Sequence, residues 1–261
     1  MARTHEVFIT DEQWEKIRPF LPKRPRSARG GRPPADDRAC LEGILWVLRS
    51  GARWRDLPER YPSPSTCWRR LVEWEGEEVL IRIWQAFLET LDERGLLDWD
   101  EVFVDASFSP AKKRGDRVGK TKRGKGTKWL VVADGQGVPL ACRTESASPA
   151  EVTLVEGVLD EVAVGEEPTP LIADRAYDSD QLRTTLAAKG WDLVCPHRRG
   201  RVRPKTQDGR KLRRYRRRWK IERTISWIGA FRRLVVRHEY YSFVYQGFIH
   251  LACIMICLRR F

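Results

Sequence analysis

The segment that most restricts how this chain can fold is Leu212–Leu234, LRRYRRRWKIERTISWIGAFRRL. It holds no Pro and a single Gly, and Ile221, Ile225 and Ile228 recur at helical spacing. The pattern predicts one long helix with an apolar stripe that must lie against a core. At about 100° per residue, Tyr215, Arg218, Glu222 and Gly229 fall within an arc of about 60° on a second face. That face sets one carboxylate in a field of Arg and Lys. An i,i+4 ion pair between Arg218 and Glu222, worth roughly 0.2–0.5 kcal/mol, explains the acid locally. The alternative is a metal ligand held beside a phosphate-binding surface. One carboxylate cannot hold a divalent cation alone, so this alternative requires partner acids elsewhere in the chain.

The charge balance bears on that choice. The chain carries a net charge of +13 and a pI near 9.8, which points to a polyanion partner, most simply nucleic acid. Between Arg198 and Lys220 stand thirteen Lys and Arg against one acid, Asp208, so this stretch holds nearly the whole net charge. A charge run is ordinarily a solvated tail. Here it flows into a patterned helix with Tyr215, Trp219 and Trp227, which indicates an ordered surface. The six cysteines (40, 67, 142, 195, 253 and 257) show no CxxC pair and no Cys/His metal spacing. They read as reduced, buried thiols of a cytosolic protein. The N-terminus lacks an apolar signal core. Phe243–Leu258 is apolar-rich but short for a membrane span and holds Gln246 and His250, so it reads as a buried closing helix.

Residues 1–98 read as helical. Thr10–Leu21 opens with a Thr N-cap and places Trp14, Ile17 and Leu21 at helical spacing. Pro22–Pro34 is a basic Pro/Gly-rich break, ordinarily disordered. Asp36–Ser50 has a core face of Leu41, Ile44, Leu45 and Leu48, with Gly51 placed as its C-cap. Ser63–Thr66 caps a further helix carrying Trp68, Arg69 and Arg70. Helix, short turn and basic aromatic helix fit a helix-turn-helix, and equally a plain helical bundle. Ile81–Arg94 is one more amphipathic helix.

From residue 99 the periodicity changes. Glu101–Phe108 alternates, with Val102, Val104 and Ala106 on one face and Phe103, Asp105 and Ser107 on the other. Ser109–Thr127 is a Lys/Arg/Gly loop without hydrophobic periodicity. Lys128–Ala133 and Val138–Glu145 are strands joined by the turn DGQG. Ala150–Val162 is a helix, Thr169–Ala173 a strand ending at Asp174, Asp180–Lys189 a helix capped by Asp178 or Asp180, and Trp191–Cys195 a strand. The order predicts an α/β fold: a mixed five-stranded sheet covered by helices, in the order of an RNase H-like domain.

Asp105 lies on the first of these strands and Asp174 at the carboxyl end of the strand that a right-handed crossover can lay beside it. Either acid alone has an ordinary explanation, as a strand-end polar residue or a turn former. Together with Glu222 they can share a cation, and hard oxygen donors without a Cys/His set favour Mg²⁺ or Mn²⁺ over zinc.

At VFVDAS, KRGKGTKWLVVAD, LIADRAYDS and YRRRWKIERTISWIGAFRRL the chain resembles DDE transposases of the bacterial insertion-sequence-five family. The block from Gly30 to Trp74 resembles that family's helical DNA-binding region. The resemblance implies Asp105, Asp174 and Glu222 as catalytic residues and as ligands of two divalent ions. It aligns the family's Y-x2-R-x3-E pattern with Tyr215, Arg218 and Glu222. The trailing Lys of that pattern falls on Gly229, so Arg232 or Arg233 is expected to take over its phosphate contact. Arg69, Arg70, Lys112, Lys113, Lys122 and Arg123 are the further DNA contacts expected, with residues 1–98 binding the terminal inverted repeats and 99–261 carrying the chemistry. A homodimer or larger synaptic assembly, acting in the bacterial cytoplasm at the nucleoid, follows from the same resemblance. A catalytically silent DNA-binding protein of transposase origin and a nuclease without strand transfer are the rival readings.

Overall fold

A computed structural model describes residues 7–24, 33–162, 170–207 and 209–261. Of the expected Pro22–Pro34 break, residues 25–32 lie outside the described residues, as do Thr169 and Asp208, while Arg24 is paired with Asp37 and Glu73. The N-terminal helices are α1 (Asp11–Ile17), α2 (Asp37–Ser50), α3 (Pro64–Gly76) and α4 (Val79–Glu93). Local chemistry sets their ends. Thr10 and Gln13 form a reciprocal capping box on α1, Asp36 caps α2, and Ser63 caps α3. Gly51 closes α2 at φ 70°. A Cβ there would be strained by that φ and would also stand 2.9 Å from the Cβ of Arg232. The α2–α3 connection runs over residues 51–63 and contains a 3₁₀ turn at Trp54–Asp56, so it is longer than the short turn expected.

The sheet has six strands: β1 (Val102–Pro110), β2 (Gly119–Thr121), β3 (Gly124–Ala133), β4 (Pro139–Ser146), β5 (Pro170–Ile172) and β6 (Asp192–Val194). β1 lies between antiparallel β3 and parallel β5, β6 extends the β5 edge, and β4 pairs with β3. This is the RNase H-like order, corrected by one strand. The extra strand arises inside the expected Ser109–Thr127 loop, where Gly119–Thr121 pairs with Gly124–Gly126. Backbone pairing forms it without an apolar alternation to announce it. Val102, Phe103 and Val104 are all buried, without the alternation of a half-exposed strand, since β1 lies inside the sheet with α7 and α8 packed against it. Asp134 makes the β3–β4 turn, accepting the N–H groups of Asp98, Gln136 and Val138.

Between β4 and β6 run a 3₁₀ turn at Glu151–Thr153, α5 (Val155–Leu159), a second 3₁₀ turn at Arg175–Tyr177, and α6 (Asp180–Ala188). The expected helix at 150–162 is thus split. α6 is capped by the Ser179 hydroxyl rather than by Asp178 or Asp180. The expected long helix is broken twice. Lys211–Arg217 winds as 3₁₀, α7 spans Trp219–Gly229, and α8 covers Arg232–Val235. Seven residues with five Arg or Lys gain little from regular α-geometry, whereas Ile221, Thr224 and Ile228 drive α7 onto the sheet. Thr224 pins α7 to the β3–β4 turn by donating to the Gly137 carbonyl at 2.7 Å.

α9 (Ser242–Cys257) is apolar nearly all round and largely buried, packing on α3, α4 and β4. The polar Gln246 and His250 are satisfied. Gln246 accepts from the Thr144 N–H at 2.9 Å, and His250 Nδ1 meets Glu75 Oε2 at 2.9 Å. Buried residues from Phe8 to Leu258 form one continuous cluster. Among the described residues, no helix is long and apolar enough to cross a membrane.

Glu101, at the start of β1, is 3% exposed and gathers three cations: Arg214 at 3.6 Å, Lys220 at 3.1 Å, and Arg217. Glu101→Ala leaves those cations without their acceptor and is expected to cost about 2 kcal/mol, read by urea denaturation. Gly51→Ala is expected to lose about 1 kcal/mol or more in the same assay. Gly229→Ala, whose Cβ would meet nothing within 4 Å, is expected to be neutral or stabilising by up to about 1 kcal/mol.

Candidate functional site

Two strands and one helix bring the predicted acids to the same edge. β1 and β5 pair in parallel at Val102↔Leu171 and Phe103↔Ile172. Continuing that register by two residues sets Asp105 level with Asp174, on the same face of the sheet. Asp174 caps the 3₁₀ turn that follows β5, its Oδ1 accepting the Ala176 N–H at 2.6 Å. Asp105 Oδ1 accepts the Ala106 N–H at 2.9 Å. Glu222 stands in the first turn of α7.

Arg218, the residue before α7, joins two of these acids. Its guanidinium donates to Asp105 Oδ2 at 2.7 Å and to Glu222 Oε1 at 2.7 Å. The i,i+4 ion pair considered from the sequence is therefore real, and it extends to a third residue 113 positions away in the chain. The site is graded in exposure: the Asp105 side chain is 15% exposed, Arg218 20% and Glu222 57%. Burial pushes the Asp105 carboxyl above its usual range, Arg218 pulls it down, and the Asp174 charge pushes it up again. Burial also disfavours the charged form of Arg218, but Asp105 outweighs that and holds its pKa up.

The convergence expected of the three acids is thus partial. Among the described residues, no three His, Cys, Asp or Glu stand close enough together to hold a metal ion. Like charges in contact repel, and the guanidinium between Asp105 and Glu222 relieves that repulsion. The donor set nevertheless fits a hard divalent cation: every candidate ligand is a carboxylate, and the space between two of them already accommodates a positive group.

Sequence reasoning missed three features of this edge. Tyr177, three residues after Asp174, is buried, and its hydroxyl has no hydrogen-bond partner among the described residues. Burial, then the charges of Glu151, Asp105 and Asp174, drive its pKa well above that of an ordinary tyrosine. Asp178 is a clasp and not a helix cap. It accepts from Arg183 at 2.9 Å and from the Arg198 N–H at 2.8 Å, and meets His197 Nδ1 at 2.9 Å. Burial would raise its pKa, but these partners hold it far below the carboxylate range. Arg198 then reaches back to the carbonyls of Arg175 and Ala176, folding the start of the basic run over the turn that carries Asp174. Glu101 is the third. Its only sequence signal is an acid at the mouth of a strand with no turn or cap to make.

The expected DNA contacts divide by exposure. Arg69, Lys112, Lys113, Lys122, Arg123 and Arg232 face solvent, and Tyr215 is half-buried. Arg70 and Arg233 do not. Arg70 is buried against Asp37 at 2.9 Å and donates to the Ala35 carbonyl. Arg233 is buried against Glu239 at 2.6 Å and donates to the Ala52 carbonyl. Both are corrected to residues that pack between helices and loops: Arg233 neutralises the buried Glu239, and Arg70 shares the partly exposed Asp37 with Arg24.

Two family models match the chain. One, described as a putative transposase of IS4/5 family, matches residues 9–84, and the other, described as a transposase DDE domain, matches residues 98–258. The insertion element IS402 uncharacterized 16.2 kDa protein of Burkholderia cepacia is 41% identical over 117 residues, covering 43% of this chain and 80% of its own. The putative transposase for insertion sequence element IS402 of the same organism is 34% identical over 146 residues, covering 52% of this chain and 65% of its own. The piggyBac transposase, in a synaptic complex with hairpin DNA, aligns with a TM-score of 0.55 and 13% identity over 97% of this chain and 74% of that one, a likeness of fold. The DDE-domain match runs across the whole sheet and the helices that cover it, and on that ground the chain belongs to the DDE transposases of the IS4/5 family.

Proposed function

We propose that this transposase binds the terminal inverted repeats of an insertion sequence and catalyses metal-dependent DNA cleavage and strand transfer. The observation that carries this reading is the shared edge: Asp105 on β1 and Asp174 just beyond the end of the adjacent parallel β5, with Glu222 tied to Asp105 through one guanidinium. Asp105, Asp174 and Glu222 would hold Mg²⁺, or Mn²⁺ in its place, as two ions. Bound there, the metal supplies activation of water and charge stabilisation at the leaving 3′-oxygen.

The chain's own residues do the rest. Arg218 and Tyr215 seat the scissile strand's phosphate beside Glu222, the Arg218 guanidinium exchanging one carboxylate partner for a phosphate oxygen. Water attacks phosphorus and the bond to the 3′-oxygen breaks, leaving a 5′-phosphate and a free 3′-hydroxyl. That hydroxyl then attacks a phosphodiester of target DNA, releasing a new 3′-hydroxyl. Lys112, Lys113, Lys122, Arg123 and Arg232 grip backbone without reading sequence. Residues 1–98, with Arg69 exposed on α3, recognise the repeats, and 99–261 carry the chemistry. Two ends cut together call for a homodimer or larger assembly, acting in the bacterial cytoplasm at the nucleoid.

One observation favours a second reading, a catalytically silent DNA-binding protein: Arg218 already satisfies Asp105 and Glu222. Cleavage of labelled element-end DNA in Mg²⁺ separates the two. The wild-type chain is expected to cut, and Asp174→Asn to lose roughly 100-fold or more of that rate while its DNA affinity stays within about twofold. Undiminished cutting by Asp174→Asn refutes the metal assignment, and a wild-type chain that binds without cutting supports the silent reading. Lys122→Ala and Arg123→Ala are each expected to lower the slope of log affinity against log salt by about 1, measured on any duplex.

A further inference from the structure

A cleft of about 220 Å³ opens between α3 and the segment leading into α9, lined by Trp54, Trp68, Lys113, His238, Tyr240 and Tyr241 among others. Three of these rings are unusually open for their size: Trp68 is 38% exposed, Tyr240 55% and Tyr241 52%. Tyr240 and Tyr241 meet edge to face, with centroids 5.1 Å apart. Large aromatic faces turned to water, grouped around one concavity, need an occupant to justify them. At this volume the cleft is smaller than the pockets that take drug-sized ligands, and it has room for a single planar heterocycle.

The charge around the cleft selects the occupant. Lys112 and Lys113 are exposed on one side, and Arg69 is exposed on α3 next to Trp68. The acid in the wall, Glu239, is neutralised by Arg233 at 2.6 Å. Burial chiefly, then Arg233 against the opposing charge of Glu239, with Lys112 and Lys113 adding to it, holds His238 below its ordinary pKa. An apolar protein segment gains nothing from Lys113 in the wall and Lys112 beside it. A nucleotide gains from both parts, its base from the rings and its phosphates from the lysines.

We propose that this cleft is a binding site for one unstacked nucleobase of single-stranded or locally opened DNA. The base stacks against Tyr240 and Trp68, while Lys112 and Lys113 hold the flanking phosphates. Stacking takes any base, so the site adds affinity for opened DNA and little sequence preference. It stands apart from the acids, at the far end of β1, where the strand's continuation bridges Ala111 to Arg237. The inference rests on the reading of the chain as a DNA-processing protein.

The test uses the full-length chain and a fluorescein-labelled 12-mer of thymidylate, with a 12-base-pair duplex as control, by anisotropy at fixed salt. Tyr240→Ala and Trp68→Ala are each expected to weaken single-strand binding about tenfold, with duplex affinity and melting temperature unchanged. Tyr240→Phe is expected to restore it. Lys112→Ala with Lys113→Ala is expected to weaken both probes. Equal loss on both probes, or no loss on the single strand, overturns the site. So do aromatic variants that change sedimentation but not DNA affinity, which would make the cleft a contact between copies of the chain. A wild-type protein that binds duplex but not the 12-mer sinks this inference alone, whereas one that binds neither sinks the proposed function with it.

Discussion

One buried carboxylate holds the basic segment before α7 against the central strand. Glu101 sits where the chain enters the central strand, and it is almost fully enclosed. Three basic residues from the 3₁₀ segment and the first turn of α7 converge on it. A charge buried that deeply is costly unless it is paired. The pairing therefore fixes where a strongly self-repelling stretch must dock. Once Arg217 and Lys220 are tied to Glu101, Arg218 lies between Asp105 and Glu222, and the apolar side of α7 rests on β1 and β3.

The arginines of this protein do two different jobs, and burial separates them. Arg70, Arg233 and Arg237 are enclosed and fully committed: Arg237, for instance, donates to Thr127, to the Glu239 carbonyl and to the Tyr240 carbonyl. Arg70 ties α3 to the start of α2, Arg233 ties α8 to the loop after α2, and Arg237 reaches β3. Arg218 is intermediate, bonded on both sides yet partly open. The cations around the β2–β3 hairpin and on the outer face of α3 face water. A high net charge is therefore a poor count of DNA contacts, because a share of it is internal structure.

Much of the fold was legible because local chemistry wrote it. Thr10, Asp36, Ser63 and Gly51 end their helices through caps that act within a few residues. The apolar closing helix, short for a span and interrupted by Gln246 and His250, reads as buried, and both polar residues find partners inside the fold. Asp105 and Asp174 could be placed on neighbouring strands from the right-handed crossover alone. The misses share a cause. The hairpin of β2 has no apolar alternation, since backbone bonds to β3 make it. The long helix breaks because its first part has charges and no stripe, and Phe231 then turns inward with an extended backbone. Arg70 and Arg233 look like their exposed neighbours in sequence, and only the acids across the fold, Asp37 and Glu239, claim them.

The amino-acid order by itself determined most of the elements, their order along the chain, and which acids end up near the central strand. Those follow from periodicity, capping and motif spacing, all of which act over short stretches of chain. Tertiary structure alone decided the charge state and company of each side chain. It set Arg218 between Asp105 and Glu222, closed Asp178 into a clasp with His197, left Tyr177 buried near three acids, and turned Trp68 and Tyr240 toward one cleft. Electrostatic energy and burial depend on distances between residues far apart in the chain, and no local pattern encodes them.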